Sequence, residues 1–271
     1  MTAVDSDHVR VSRDGGVATV VIDRPDRLNA YTPAMAAAVR ETVEDLAADD
    51  ATRAVVLTGA GPRAFSAGMD VQAYTAEGDE PGAGSVETLL ESTHNTHDLV
   101  KTLRSVEVPV VAAVNGHATG GGMDVALACD FRIVRADATF VQAYVNVGLV
   151  PDAGAYLLPR LVGEATAKEL IMTGDPIEGE RAADLGLART AIEGSAADVR
   201  ETATEFAASL AEGPTVAIGT AKSLVNESFE VSIETALAHA IDGERTCHET
   251  ADHREGVAAF LEDREPDFAG E

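Results

Sequence analysis

The sequence predicts an α/β core of alternating strands and helices followed by a helical C-terminal portion, and three observations carry that prediction. Short apolar runs at residues 54–57 and 110–114 alternate with segments of helical periodicity through the first two thirds of the chain. From Gly154 onward the apolar spacing is helical, apart from one candidate strand at residues 188–192. Hydrophobic residues make up 45% of the 271 residues, enough to bury a sizeable core.

Taken in order, residues 9–12 and 17–22 read as a hairpin turned by Asp14-Gly15-Gly16. Pro33 opens a helix that gathers Met35, Val39, Val43 and Leu46 on one face. Residues 54–57 are a buried strand ending in Thr58-Gly59, the Gly- and acid-rich stretch 77–85 an exposed loop, and 86–103 a helix. Pro109 introduces a second buried strand, 110–114, closed by Asn115-Gly116. After Gly120-Gly121-Gly122 come a helix at 123–128 and strands near 131–134 and 139–141. Pro214 and Pro266 punctuate the helical half, and the expected division is a core over 1–200 and a helical region over 201–271.

Charge narrows the function. Lys plus Arg total 20 against 46 for Asp plus Glu, a net charge of −26 and a pI near 4.4. The acids recur on polar faces, as in Glu41, Glu44, Asp45, Asp49 and Asp50, rather than in one tail. Such a surface repels itself at low ionic strength and suits a salt-rich cytoplasm. It argues against nucleic-acid or anionic-membrane partners, which bind through basic patches. No stretch approaches the ~20 apolar residues of a membrane span, and residues 1–10 lack a secretory pattern. Two cysteines far apart, Cys129 and Cys247, fit a reduced interior. The expectation is a soluble, cytoplasmic protein.

Two segments share one design: a buried strand, a glycine-bearing loop, then a helix start. The first runs from Val55 through Gly59 to Phe65-Ser66-Ala67-Gly68-Met69-Asp70, the second from Val110 through Asn115-Gly116 to Gly120-Gly121-Gly122-Met123-Asp124. Helix starts expose N–H groups and a positive dipole end, and glycine lets a ligand approach the backbone. Two such ends facing each other would make an oxyanion hole.

These segments, with Arg24-Pro25-Asp26-Arg27-Leu28-Asn29-Ala30, Gly148-Leu149-Val150-Pro151-Asp152-Ala153-Gly154 and Arg254-Glu255-Gly256, stand in an order that resembles the crotonase superfamily of enoyl-CoA hydratases and isomerases. The resemblance implies a crotonase-like fold of repeated ββα units, a helical C-terminal trimerisation region, and a homotrimer or hexamer. It implies an acyl-CoA thioester as substrate and no separate cofactor, coenzyme A being part of that substrate. It casts the Met69 and Gly121 amides as oxyanion donors. Ala67, Met69 and Val71 match backbone that contacts adenine, Leu28 matches a CoA-contacting position, and Asp70 is counted with the substrate-binding residues. Asp124 matches a first catalytic carboxylate. The second hydratase carboxylate is replaced by Tyr144, and Asp152 matches an additional acid of dienoyl-CoA isomerases.

A phenol of pKa ~10 is a poor base, whereas a 1,3-proton shift can run on one carboxylate. Double-bond isomerisation is therefore preferred, with hydration of a 2-enoyl-CoA as the alternative. Plainer roles stay open: Asp124 as an early-helix acid, Asp152 as a helix N-cap, Tyr144 as pocket lining. Ser66 in Ala64-Phe65-Ser66-Ala67-Gly68 resembles a hydrolase elbow, though a loop separates it from the strand at Leu57. A non-catalytic acyl-CoA binder is the other remote reading. His94 and His97 lack a third ligand, so they read as a solvated helix face and no metal is expected.

Overall fold

The computed structural model describes residues 8–70 and 85–271. Strands β1 (Val9–Asp14) and β2 (Val17–Ile22) form the expected hairpin, with Val9 opposite Ile22 and Gly15-Gly16 at the turn. Helix α1 (Pro33–Ala47) starts at Thr32, whose hydroxyl accepts from Met35 N. It is followed by β3 (Ala54–Gly59), β4 (Ala64–Ser66), α2 (Val86–Ser105), β5 (Val110–Val114), β6 (His117–Thr119) and α3 (Gly121–Ala128). Strands β7 (Phe131–Arg135) and β8 (Thr139–Val141) precede α4 (Gly154–Thr173), β9 (Ile177–Glu178), α5 (Gly179–Asp184) and β10 (Thr190–Ile192). Helices α6 (Ala196–Ala211), α7 (Thr215–Glu227), α8 (Ile233–His248) and α9 (Ala251–Glu262) complete the chain.

The large sheet has the order β1-β2-β3-β5-β7-β10 and is parallel except for the β1/β2 hairpin. Side chains of successive strand residues point to opposite faces, and here both faces are covered. Val55, Leu57, Ala112 and Val114 join Val39, Val43, Leu99 and Leu103 of α1 and α2 in one core. Ala54, Val56, Val111 and Ala113 face Val199, Ala203, Ala207 and Ala211 of α6 in another. That double burial explains why the strands read as unbroken apolar runs.

The expected division at 200/201 falls inside α6, whose small-residue face packs on the sheet. The chain leaves this packing near Pro214, where α7 begins. A second, small sheet has the order β4-β6-β8-β9. It brings the two glycine-bearing loops together. Among the described residues no helix is long and apolar enough to cross a membrane.

Candidate active site

The parallel pairing of β4 and β6 sets the ends of the two glycine-bearing segments side by side. Gly68, at φ +81°, approaches the second segment so closely that a Cβ would lie 2.8 Å from Thr119 O and 3.0 Å from Gly121 N. No side chain fits there. Tyr31 N donates to Gly68 O and Asp70 N to Tyr31 O, both at 2.9 Å. This short parallel bridge clamps Met69 and leaves its own N–H on the far side. Neither the Met69 nor the Gly121 amide donates to a described residue. Gly121 opens α3, where unpaired N–H groups and the positive dipole end coincide. Two unpaired donors at one point can stabilise a developing oxyanion.

Both donors border a cavity of about 370 Å³. Ala67, Leu89, Leu90, Val147, Leu149 and Val150 make much of its wall apolar, and Tyr31, Tyr144 and Asp152 supply polar groups. This is the composition of a site for an apolar ligand that carries a few polar atoms.

Asp124 is fully buried, one helical turn beyond Gly121. Gln142 Nε2 donates to its Oδ1 at 2.8 Å, the Tyr144 hydroxyl to its Oδ2 at 2.9 Å, and the Gly154 amide also bonds it. Burial pushes the carboxyl up to about 6 despite these donors. Tyr144 is part of the cavity wall and connects Asp124 to it. Burial, and then the neighbouring Asp124 charge, raise the Tyr144 pKa, so this group remains a phenol.

Asp152 takes another partner than expected. Helix α4 begins at Gly154 with Ala153 at the cap and no side-chain cap bond, so Asp152 is not its N-cap. Its carboxylate lies on the cavity wall and pairs with His97 Nε2 from α2. His97 is partly solvated, as expected, and in addition holds this carboxylate. Tyr31 was not singled out in the sequence, although it directly follows Leu28-Asn29-Ala30. It is buried, accepts from Thr96 Oγ1 at 3.3 Å, and a Cβ on Gly121 would come 2.3 Å from its hydroxyl. Gln142 was missed as well, because one buried amide leaves no periodic signal.

Leu28 and Asn29 adopt φ of +54° and +55°, a conformation non-glycine residues rarely hold. Asn29 sustains it by donating to Ala60 O and Ala64 O and accepting from Arg24 N. Leu28 O accepts from Ala67 N, and Leu28 lines a second groove with Arg27, Arg63, Met69 and Asp70. The Asp70 carboxylate is paired with Arg24 at 2.6 Å, which fixes the loop next to Met69. Val71 lies outside the described residues. Ser66 is buried, donates to Asn29 O and accepts from Gly68 N, so its hydroxyl is occupied and cannot serve as a hydrolase nucleophile. Among the described residues no three His, Cys, Asp or Glu side chains converge as metal ligands.

A family model for enoyl-CoA hydratase/isomerase matches residues 12–271. The chain belongs to that family. It is 36% identical over 256 residues to 1,2-epoxyphenylacetyl-CoA isomerase of Escherichia coli, covering 94% of this chain and 95% of that protein. It is 33% identical over 266 residues to short-chain-enoyl-CoA hydratase of Clostridium acetobutylicum, covering 96% and 97%. The crystal structure of enoyl-CoA hydratase from Bacillus anthracis superposes with a TM-score of 0.89 at 30% identity, over 97% of this chain and 100% of that one. The fold is the crotonase fold, and the protein is an enzyme of the enoyl-CoA hydratase/isomerase family.

Proposed function

We propose that the enzyme shifts the double bond of an enoyl-CoA thioester through an enolate. The thioester oxygen accepts from the Met69 and Gly121 amides, and Asp124 is the acid and base. The observation that carries this reading is the 2.9 Å bond from the Tyr144 hydroxyl to Asp124. A hydratase holds water between two carboxylates, and here a phenol occupies the second place. Asp124 works through that phenol: as carbon gives its proton to the Tyr144 oxygen, the hydroxyl proton passes to Asp124. The reverse transfer at the γ-carbon completes the shift, and no water enters the product. With a pKa of about 6, Asp124 exchanges protons readily near neutrality.

Hydration is the second reading, favoured by relatives named as hydratases. Mass spectrometry of products from crotonyl-, 3-enoyl- and dienoyl-CoA separates the two. Conversion of 3-enoyl- to 2-enoyl-CoA without water uptake is expected. Rapid hydration of crotonyl-CoA with no double-bond shift would overturn isomerisation. Loss of one oxyanion donor should lower kcat ~10²–10³-fold.

A further inference from the structure

The relay through Tyr144 keeps its proton inside the site, yet the cavity wall holds another acid with a different outlook. Asp152 is 15% exposed and contacts His97 Nε2, and the His97 side chain is 38% exposed. Among the described residues His97 Nδ1 has no partner, and the side chain is partly open to solvent. The contact joins α2 to the lead-in of α4, elements that only the tertiary fold brings together. On the cavity side Asp152 faces Asp124, Tyr144 and Tyr31, whose titrations it perturbs. Along α2 the charged neighbours are His94, Asp98 and Lys101, and Arg40 of α1 acts on Asp98.

We propose that His97 is a positioning residue that aims Asp152 at the acyl cavity and links it to bulk water, giving the site a second proton path that is open to solvent. The inference rests on the enolate chemistry of the proposed function, not on its choice of isomerisation over hydration. In the step, a C–H bond of the acyl group breaks, its electron pair enters the enolate, and the proton forms an O–H bond on Asp152. Asp152 passes that proton to Nε2, and the imidazolium releases its Nδ1 proton to water. Reprotonation of carbon runs the same sequence backwards with a solvent proton. A surface ion pair without this task would add little to stability and nothing to hydrogen exchange.

Turnover in D₂O reads the difference directly. A 3-enoyl-CoA substrate and saturated butyryl-CoA are incubated with wild type, His97→Leu, His97→Gln and Asp152→Asn, and deuterium in the acyl group is measured by mass spectrometry. Wild type should incorporate solvent deuterium in both substrates. His97→Leu and Asp152→Asn should lower the deuterated fraction per turnover several-fold. His97→Gln, which can hold Asp152 but not relay, should lower it while KM stays near wild type. An unchanged deuterated fraction in His97→Leu, or none in wild type, would overturn the proposal. Exchange into butyryl-CoA that depends on His97, without any double-bond shift, would remove the isomerase reading and leave this one standing.

Discussion

Burial sets the chemistry of Asp124. The base must be ionised to accept a proton, so kcat/KM should rise with pH through about 6 and then level, well above the usual carboxylate value of 3.8. A pH–rate profile with its acid limb near 4 would contradict that. The same elevation has a stability sign. The folded state holds this proton more tightly than the unfolded chain, so this group's contribution to stability is full below about 4 and is lost as pH rises through 6. Raising the carboxyl from 3.8 to about 6 corresponds to ~3 kcal/mol. Asp124→Asn should abolish the double-bond shift, yet its melting temperature relative to wild type should improve between pH 5 and pH 8. At Gly121 the decisive neighbour is the Tyr31 hydroxyl, 2.3 Å from an added Cβ, with the ring carbon beneath it at 3.4 Å. Gly121→Ala should therefore lose most activity, and Tyr31→Phe in the same chain should recover part of it. A double variant no better than Gly121→Ala alone would assign the damage to the ligand side.

Between elements, the most consequential tie is a buried lysine. Lys222 is one of three lysines in the chain and only 6% exposed. From α7 it reaches Asp130 Oδ2 at 2.8 Å, Leu103 O at 2.9 Å and Val108 O at 3.1 Å, pinning α7 to α2 and the start of β5. Removing one partner of such a pair leaves a buried charge, so Lys222→Met should destabilise by ~3–5 kcal/mol. Chemical denaturation at constant salt measures this, and a change within 1 kcal/mol would class the pair with surface ones. Long elements were legible in the sequence because periodicity accumulates over many residues. Helix α1 with its Pro33 start and the strands β3 and β5 fall where the apolar pattern puts them. Of the small sheet only β8 falls where a strand was expected, at 139–141; β4, β6 and β9, with three residues or fewer, were not legible. Segments that short show no period.

Across the whole molecule, two predictions concern surfaces. With a net charge of −26, self-repulsion is long-ranged at low ionic strength. Melting temperature and activity should rise steeply between about 0.1 M and 2 M KCl, as the Debye length falls from ~10 Å toward 3 Å or less. Flat curves for both would remove the halophilic reading. The helical tail exposes Phe229, Ile233, Leu237, Ile241, Phe260 and Leu261, a larger apolar area than a monomer ordinarily leaves to water. Light scattering at high salt should find a trimer or hexamer, and a stable, active monomer would refute it.

The sequence by itself determined the family, the large-sheet strands, the start of α1 and the acidic surface, and it put forward Met69, Gly121 and Asp124 as site residues. Each of these is written in contiguous residues or in a period, and chain connectivity carries both. Only the tertiary structure decided what each site residue faces. It placed Tyr31 against Gly121, put Tyr144 between Asp124 and the cavity, and turned Asp152 from an N-cap role to His97. These are contacts between residues 20 to 90 positions apart. Their geometry follows from how β4 pairs with β6 and how α2 packs beside α3, and no local pattern records that.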